Sequence, residues 1–576
     1  MQIGRGKQRL LIENLPEAFV RRALLRLKAD RVIARIWEHD HTVWKETSGE
    51  ISNRLGWLHS HREMVNSFQS IHDLVEQVRA EGYARVLLLG MGGSSLAPEV
   101  FRRTFGIRNG YPDLDVLDST DPGAVLDKEK RIDPHKTLFV VSTKSGSTVE
   151  TISLMKYFYN KTLAAVGKKN CGRHFIAITD PGSGLEKTAK ELNFRNIFLN
   201  DPDIGGRYSA LSYFGLVPAA LIGADLKQLL DNAGVMAANA QASSCPLKGE
   251  NTPAWLGAAL GTTGNSGRDK ITLILSSAIR SFGAWIEQLV AESTGKEGKG
   301  LLPVEGETVL APEFYANDRL FVYFRLAGDE TADAKVSSLT EAGHPVIRLD
   351  LEDKYNLGGE FFRWMMATAV AGWAMGINPF DQPNVESAKV LAREVVSAYQ
   401  DKGELPALSP DLKIDGFEVY CGYAAEDLQQ VWRKLFDEAN PGENEAKGRS
   451  YVAIHAYLRP DPETDRLLQR LREKIQTIYR LAVTVGYGPR FLHSTGQLHK
   501  GDAGNGLFVQ LTAGAPADLP IPDQPGGDRS SISFGLLKTA QALGDRQALL
   551  DAGRKVIRFH FDRDIQTAMD KLTGAL

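Results

Sequence analysis

The stretch "VVSTKSGSTVET" at 140–151 gathers Ser142, Thr143, Ser145, Ser147 and Thr148 round one lysine, Lys144, between two apolar runs, "TLFVV" and "TISLMKYF". Hydroxyl residues are poor inside helices and good at helix starts, where the side-chain oxygen accepts a backbone N–H that has no other partner. One cap needs one hydroxyl. The surplus suits a ligand rich in acceptors. Backbone N–H groups at a helix start, the helix dipole and several hydroxyls together fit one phosphate monoester. The bland alternative is a heavily capped turn. The spacing lacks G-x-x-x-x-G-K-[ST], so this is not a nucleotide P-loop.

Two further stretches carry candidate chemistry. "GMGGSS" at 90–95 follows an apolar run, but position 95 is serine, so the dinucleotide fingerprint G-x-G-x-x-G is incomplete and a tight strand-to-helix turn explains the glycines equally well. In "EQLVAESTGKEGKG" (287–300), Glu292 closes an amphipathic helix. Most such glutamates are solvated helix ends. A negative charge is nevertheless disfavoured at a helix C-terminus, and a carboxylate left unsettled there suits a general base.

The elements that position these groups follow from apolar patterning. "ARVLLLG" (84–90), "LDVLD" (114–118), "TLFVV" (137–141), "HFIAI" (174–178) and "RNIFL" (195–199) are short apolar strands, with helices such as 149–167 and 183–192 between them. Continuous apolar strands alternating with helices predict a parallel sheet covered on both faces. After a linker at 240–252 the pattern restarts. "KITLILSS" (270–277), "RLFVYFRL" (319–326) and "PVIRLDL" (345–351) are strands, and a long helix runs through 359–375. Residues 15–80 read as helices. A boundary falls at 402–416. Beyond it lie strands "FEVYCGY" and "YVAIHAYL", a helix through 462–483, and a Pro/Gly-rich stretch, "APADLPIPDQPGGDRSS", that predicts a mobile surface loop.

With 576 residues, two or three domains are expected. The chain is 43% hydrophobic and 24% charged with a net charge of -3, and its basic residues are interspersed with acidic ones, so nothing points to nucleic acid. Cys171, Cys245 and Cys421 are odd in number and far apart, which indicates a reducing compartment rather than a disulfide framework or a zinc motif. The N-terminal stretch has no apolar core of signal-peptide length, and the most apolar runs are too short to span a bilayer. A cytoplasmic protein is expected, without a membrane partner.

Taken with "GGRYS" (205–209), "NPFDQPNVESAK" (378–389) and "LHSTGQLHKG" (492–501), these stretches resemble the glucose-6-phosphate isomerase family, and within it the isomerase half of transaldolase–isomerase fusions. No transaldolase barrel precedes them. The resemblance covers nearly the whole chain. It implies an α/β fold of two sugar isomerase (SIS) domains, each an α/β/α sandwich with a mainly parallel sheet. The expected organisation is an N-terminal helical segment (1–60), two such domains (61–240 and 253–401) and a C-terminal α/β region (402–576). The implied reaction interconverts glucose 6-phosphate and fructose 6-phosphate by ring opening and proton transfer through an enediolate, with no cofactor and no metal.

Motif by motif, the resemblance gives the hydroxyl loop (Thr143, Lys144, Ser145, Ser147, Thr148) to the phosphate, and Gly93, Ser94 and Gly206 to the sugar. It makes Glu292 the base that moves a proton between C2 and C1, and Gln288, one helical turn earlier on the same face, a substrate ligand. Arg207 stands beside the enediolate, where a permanently charged guanidinium can stabilise an anion without giving up a proton. Gln382 and Lys389 fall near the ring oxygen, and His493 opens the ring. Arg207 and Lys389 have plainer readings as surface ion-pair partners, and His39, His41, His59 and His61 read as surface histidines.

In one respect the chain departs from the family pattern. Common bacterial members place the histidine segment soon after the base, whereas here it follows Lys389 in a C-terminal extension. Dimeric members complete each site with the partner's histidine; a tethered extension could supply it in cis, giving a monomer as well as a homodimer as possible states. Rival functions are a hexose-phosphate sensor with this fold and an isomerase that also accepts mannose 6-phosphate. Amino-sugar synthesis would need an ammonia source, and no N-terminal cysteine glutaminase is present. A base and an anion clamp together argue against a sensor.

Overall fold

The computed structural model describes residues 1–4, 9–406, 408–442, 448–562 and 564–576. Part of the N-terminal stretch (5–8) and Ala407 of the expected boundary lie outside the described residues. Three sheets organise the chain. The first holds five parallel strands in the order Asp113–Leu117, Arg85–Gly90, Thr137–Ser142, Phe175–Thr179, Asn196–Leu199. Every residue of Thr137–Ser142 and Phe175–Thr179 is buried, as strands covered by helices on both faces require. Numbered along the chain the order is 2-1-3-4-5, so it reverses between Arg85–Gly90 and Thr137–Ser142. Doubly wound sheets bind ligands at such a switch point, outside the carboxyl ends of the strands. The glycine turn and the hydroxyl loop are the two loops that leave these strands there.

The second sheet runs Arg319–Leu326 in parallel between Lys270–Leu275 and Val346–Leu351, with Leu302–Val304 at one edge. Its other edge differs from expectation. The N-terminal segment is not helical throughout: Leu10–Glu13 forms a strand antiparallel to Val346–Leu351, with Leu10 and Ile12 buried. Alternation of buried and half-exposed residues in "LLIE" is the period-two signature of such a strand. The helices Thr252–Asn265 and Leu357–Met375 are buried over almost their whole surface and knit the first two sheets into one apolar core.

The C-terminal sheet has its own core and the strand order Leu412–Ile414, Phe417–Tyr420, Lys555–Phe561, Gly506–Ala513, Tyr451–Tyr457, Ala482–Tyr487. The helix expected through 483 ends at Tyr479, where Arg480 takes a left-handed conformation, and Ala482–Tyr487 continues as a strand parallel to Tyr451–Tyr457. The Pro/Gly-rich stretch is not a loose loop. Pro520–Ile521 pairs with Ile532–Ser533, Ile521 is buried, and Asn160 of the first unit hydrogen-bonds the backbone of Gly526 and Gly527 at 2.6 and 2.8 Å. Among the described residues no helix is long and apolar enough to cross a membrane.

Candidate active site

At the switch point the glycine turn approaches three other segments. A methyl group on Gly93 would lie 2.0 Å from the Gly206 carbonyl oxygen. One on Gly92, which has a φ of +53°, would lie 2.8 Å from the His493 carbonyl oxygen and 2.9 Å from Gln288 Nε2. Only glycine permits both approaches, which settles why two stand here. A methyl group on Gly206 would meet nothing within 4 Å, so that residue borders open space. The Ser142 hydroxyl donates to the Ser94 carbonyl at 3.2 Å, joining the turn to the hydroxyl loop.

The loop itself leads into the helix Val149–Val166. Thr148 is its N-cap residue, yet its side chain makes no capping hydrogen bond. Thr148 and Thr143 instead share a hydroxyl–hydroxyl contact of 2.9 Å, and Ser147 donates to Ser145 at 3.0 Å. Ser145 and Ser147 are exposed. The hydroxyls therefore bond one another and none of them caps the helix. Lys144 is turned away: its ammonium pairs with Asp180 and donates to the Pro202 carbonyl at 2.8 Å. Burial pushes the Asp180 carboxyl up, with Lys144 opposing.

Across the cleft, the helix Phe282–Thr294 carries Gln288 and Glu292 one turn apart. Gln288 Nε2 donates to Glu292 at 3.1 Å and to the His493 carbonyl at 2.8 Å. Arg207 is 3% exposed, and its guanidinium is fully engaged. Nε donates to Ser293 at 2.8 Å, Nη1 to Gln382 at 2.9 Å, and Nη2 to the carbonyls of Pro379 and Asp381 at 2.9 Å each. Nη1 also lies 3.4 Å from Glu292. The plain surface reading of Arg207 is thereby excluded. Glu292, half-buried, and the buried Arg207, far apart in the chain, form one pair of carboxylate and cation.

Lys389 stands apart from this pair. It is exposed on the helix Val385–Lys402, with its ammonium 3.6 Å from Glu386, although its charge still favours the anion of Glu150. His493 follows the edge strand Ala482–Tyr487, and its Nε2 lies 2.9 Å from Glu150 Oε1. Glu150 is 3% exposed and also accepts from Gln541 at 2.7 Å. Burial alone would raise its pKa. Burial is the largest single influence, but the His493 charge and hydrogen bond, a backbone N–H and the Lys389 charge together outweigh it, so the net shift is downward. An ionised carboxylate only accepts, which places the His493 proton on Nε2.

Sequence reasoning missed Glu150 as His493's partner, although it is the acidic residue closing the hydroxyl stretch. It also missed Lys296, which is 1% exposed and donates to the Asp381 carboxylate at 2.6 Å. Burial, then the nearby Arg207 charge, lowers Lys296 to about 8. The C-terminal region is fastened here by Gln497, whose amide bonds Asn384 and the Gly295 carbonyl at 2.8 and 2.9 Å. His59 and His61 are half-buried rather than surface residues. His59 contacts His39 at 3.0 Å, and burial lowers His61 to about 4.

Comparison with known proteins agrees with this geometry. The phosphoglucose isomerase family profile matches residues 59–301. A glucose-6-phosphate isomerase of Thermus thermophilus is 30% identical over 393 residues, covering 60% of this chain and 91% of the relative. The chain belongs to the phosphoglucose isomerase family. The glucose-6-phosphate isomerase of Rubrobacter xylanophilus is likewise 30% identical over 367 residues, covering 55% of this chain and 83% of its own. A solved structure of a hypothetical protein, also from Thermus thermophilus, superposes with a TM-score of 0.57 at 26% identity, covering 67% of this chain and 99% of that one. The α/β fold with two mainly parallel sheets is what membership in the family brings.

Proposed function

We infer that this protein is an aldose–ketose isomerase that interconverts glucose 6-phosphate and fructose 6-phosphate. The observation that carries the inference is the Glu292–Arg207 pair, whose neighbours Gln288 and Gly206 meet the glycine turn that is hydrogen-bonded to the hydroxyl loop at the switch point. A sugar phosphate anchored at the helix start by the loop hydroxyls would lay its first carbons toward Glu292. The carboxylate can take a proton from C2 and return it to C1 on the same face, and positioned acid–base groups contribute about 10²–10⁴ in rate. Arg207 is held by four hydrogen bonds before any substrate arrives, so its charge needs no reorganisation when the enediolate forms.

Ring opening falls to His493. With Nε2–H on Glu150, Nδ1 is the ring nitrogen free to exchange a proton with the ring oxygen and the anomeric hydroxyl. The chain supplies this histidine to its own site through the C-terminal extension, so a single chain holds every group named. Gln382, fixed by Arg207, and the more loosely held Lys389 complete the wall near the ring oxygen. Lys144, bound to Asp180, supports the loop from behind and contributes positive charge rather than a direct contact. A sensor of hexose phosphates would gain nothing from a carboxylate base beside a clamped guanidinium. A coupled assay of fructose 6-phosphate turnover without added metal tests the inference. Binding without turnover would leave the sensor as the better account.

A further inference from the structure

A cavity of about 920 Å³ reaches Ser494, the neighbour of His493, and the chemistry above makes no use of it. All three units line it: Arg103 from the first, Arg280, Glu287 and Glu305 from the second, Arg472 and Arg490 from the C-terminal region. Arg472 is the anomaly. It is 2% exposed, and its Nε and Nη2 are buried with no hydrogen-bond partner. Burial lowers its pKa, with Glu307 and then Glu305 opposing, so nearby carboxylates balance the charge without satisfying these two nitrogens, and Nη1 is the nitrogen beside Gly306 in the cavity wall.

Arg280 reaches the same place. A methyl group built on Gly306 would lie 3.7 Å from Arg472 Nη1 and 3.8 Å from Arg280 Nη2, so the two guanidinium groups converge there. The other arginines of the wall already have partners: Arg103 has Glu99 at 2.5 Å, Arg490 has Asp118 at 3.1 Å, and the exposed Arg466 has Glu463 at 4.0 Å. Burial and the neighbouring Glu305 push the Glu287 carboxyl up to about 8, against the pull of Arg490 and Arg472. That shift reduces the negative charge Glu287 sets against Arg472, whose charge is favoured by Glu307 and then Glu305.

We propose that this cavity is a second binding site, for a small hydroxylated organic phosphate held by Arg472 and Arg280. Two converging guanidinium forks present more donors than one carboxylate can accept, whereas a phosphate monoester offers three terminal oxygens and close to two charges. Polar walls suit a hydroxylated body, and the volume accommodates a metabolite. The site touches the catalytic machinery. Glu287 precedes Gln288, which holds Glu292, and Arg490 and Ser494 flank His493 in the cavity wall.

Inorganic pyrophosphate is the probe, titrated by calorimetry into full-length protein carrying Ser145→Ala and Thr148→Ala to weaken the catalytic loop. One site should remain. Arg280→Ala, an exposed position, should weaken it at least tenfold, and Arg472→Met should weaken it further. Arg472→Met should also raise the melting temperature of the ligand-free protein, because it replaces buried nitrogens that have no hydrogen-bond partner with an apolar chain. A purely structural arginine would give a drop instead. Absence of the second site, affinity indifferent to both substitutions, or a lowered melting temperature for Arg472→Met would each overturn the proposal. Turnover by Arg280→Ala without pyrophosphate should match the parent, so a parent lacking isomerase activity counts against the proposed function and not against this cavity.

Discussion

Replacing Glu150 by glutamine isolates one charge in the ring-opening apparatus. The carboxylate is buried and accepts from His493 at 2.9 Å and Gln541 at 2.7 Å through the same oxygen. Glutamine retains an acceptor of the same shape and removes the charge. A hydrogen bond to a charged group contributes ~1.5–3 kcal/mol and a neutral one ~0.5–1.5 kcal/mol, so the loss is about 1–2 kcal/mol. At ~1.36 kcal/mol per factor of ten, kcat/KM for cyclic glucose 6-phosphate should fall roughly 5- to 30-fold. A phosphorylated aldose too short to close a ring should be converted at nearly the parental rate. The same variant has a stability signature. The Glu150 pKa is lowered in the folded state, so its contribution is complete above the ordinary carboxylate pKa of ~4.3 and disappears as pH falls through the lower folded value. Denaturant unfolding of the variant should therefore lose less stability than the parent between about pH 5 and 3. Equal slowing of cyclic and open-chain substrates would refute the assignment of Glu150 and His493 to ring opening.

Glu292→Gln should lower turnover by roughly 10²–10⁴-fold while a phosphorylated sugar acid still binds, as read by calorimetry; near-parental turnover would make Glu292 an ordinary helix end. The Ser145→Ala/Thr148→Ala double variant should weaken substrate phosphate binding far more than it lowers the melting temperature, since neither hydroxyl caps the helix. Loss of stability with affinity intact would make the loop only a turn. Mixing inactive Glu292→Gln with inactive His493→Ala protein should restore no activity, because each chain supplies its own histidine; recovery in a coupled assay would mean that the histidine crosses between chains. Burial lowers Lys296 to about 8, so its unfolded form binds more protons between pH 8 and ~10.4 and stability should rise with pH there. Lys296→Met should remove that rise in denaturant unfolding.

The sequence by itself determined what each segment is made of and where most strands of the first two sheets run. Thr137–Ser142 was legible because a strand buried on both faces must be apolar throughout, and the hydroxyl loop because its residue types sit at a strand-to-helix junction. Glu292 and Gln288 were legible because residues four apart on a helix share a face. Tertiary structure decided the partners. Glu150 and His493 are 343 positions apart, and no periodicity connects them; the register of a third sheet against the first two does. Lys144 and Lys389 carry equal charge in the sequence, yet packing ties one to Asp180 and leaves the other on an exposed helix beside Glu386. Leu10–Glu13 needed a free sheet edge to become a strand, and the Pro/Gly-rich stretch needed Asn160 to settle. Local patterning reports which face a residue turns inward, whereas the groups that meet there depend on contacts between distant segments, whose closure only the packed core can stabilise.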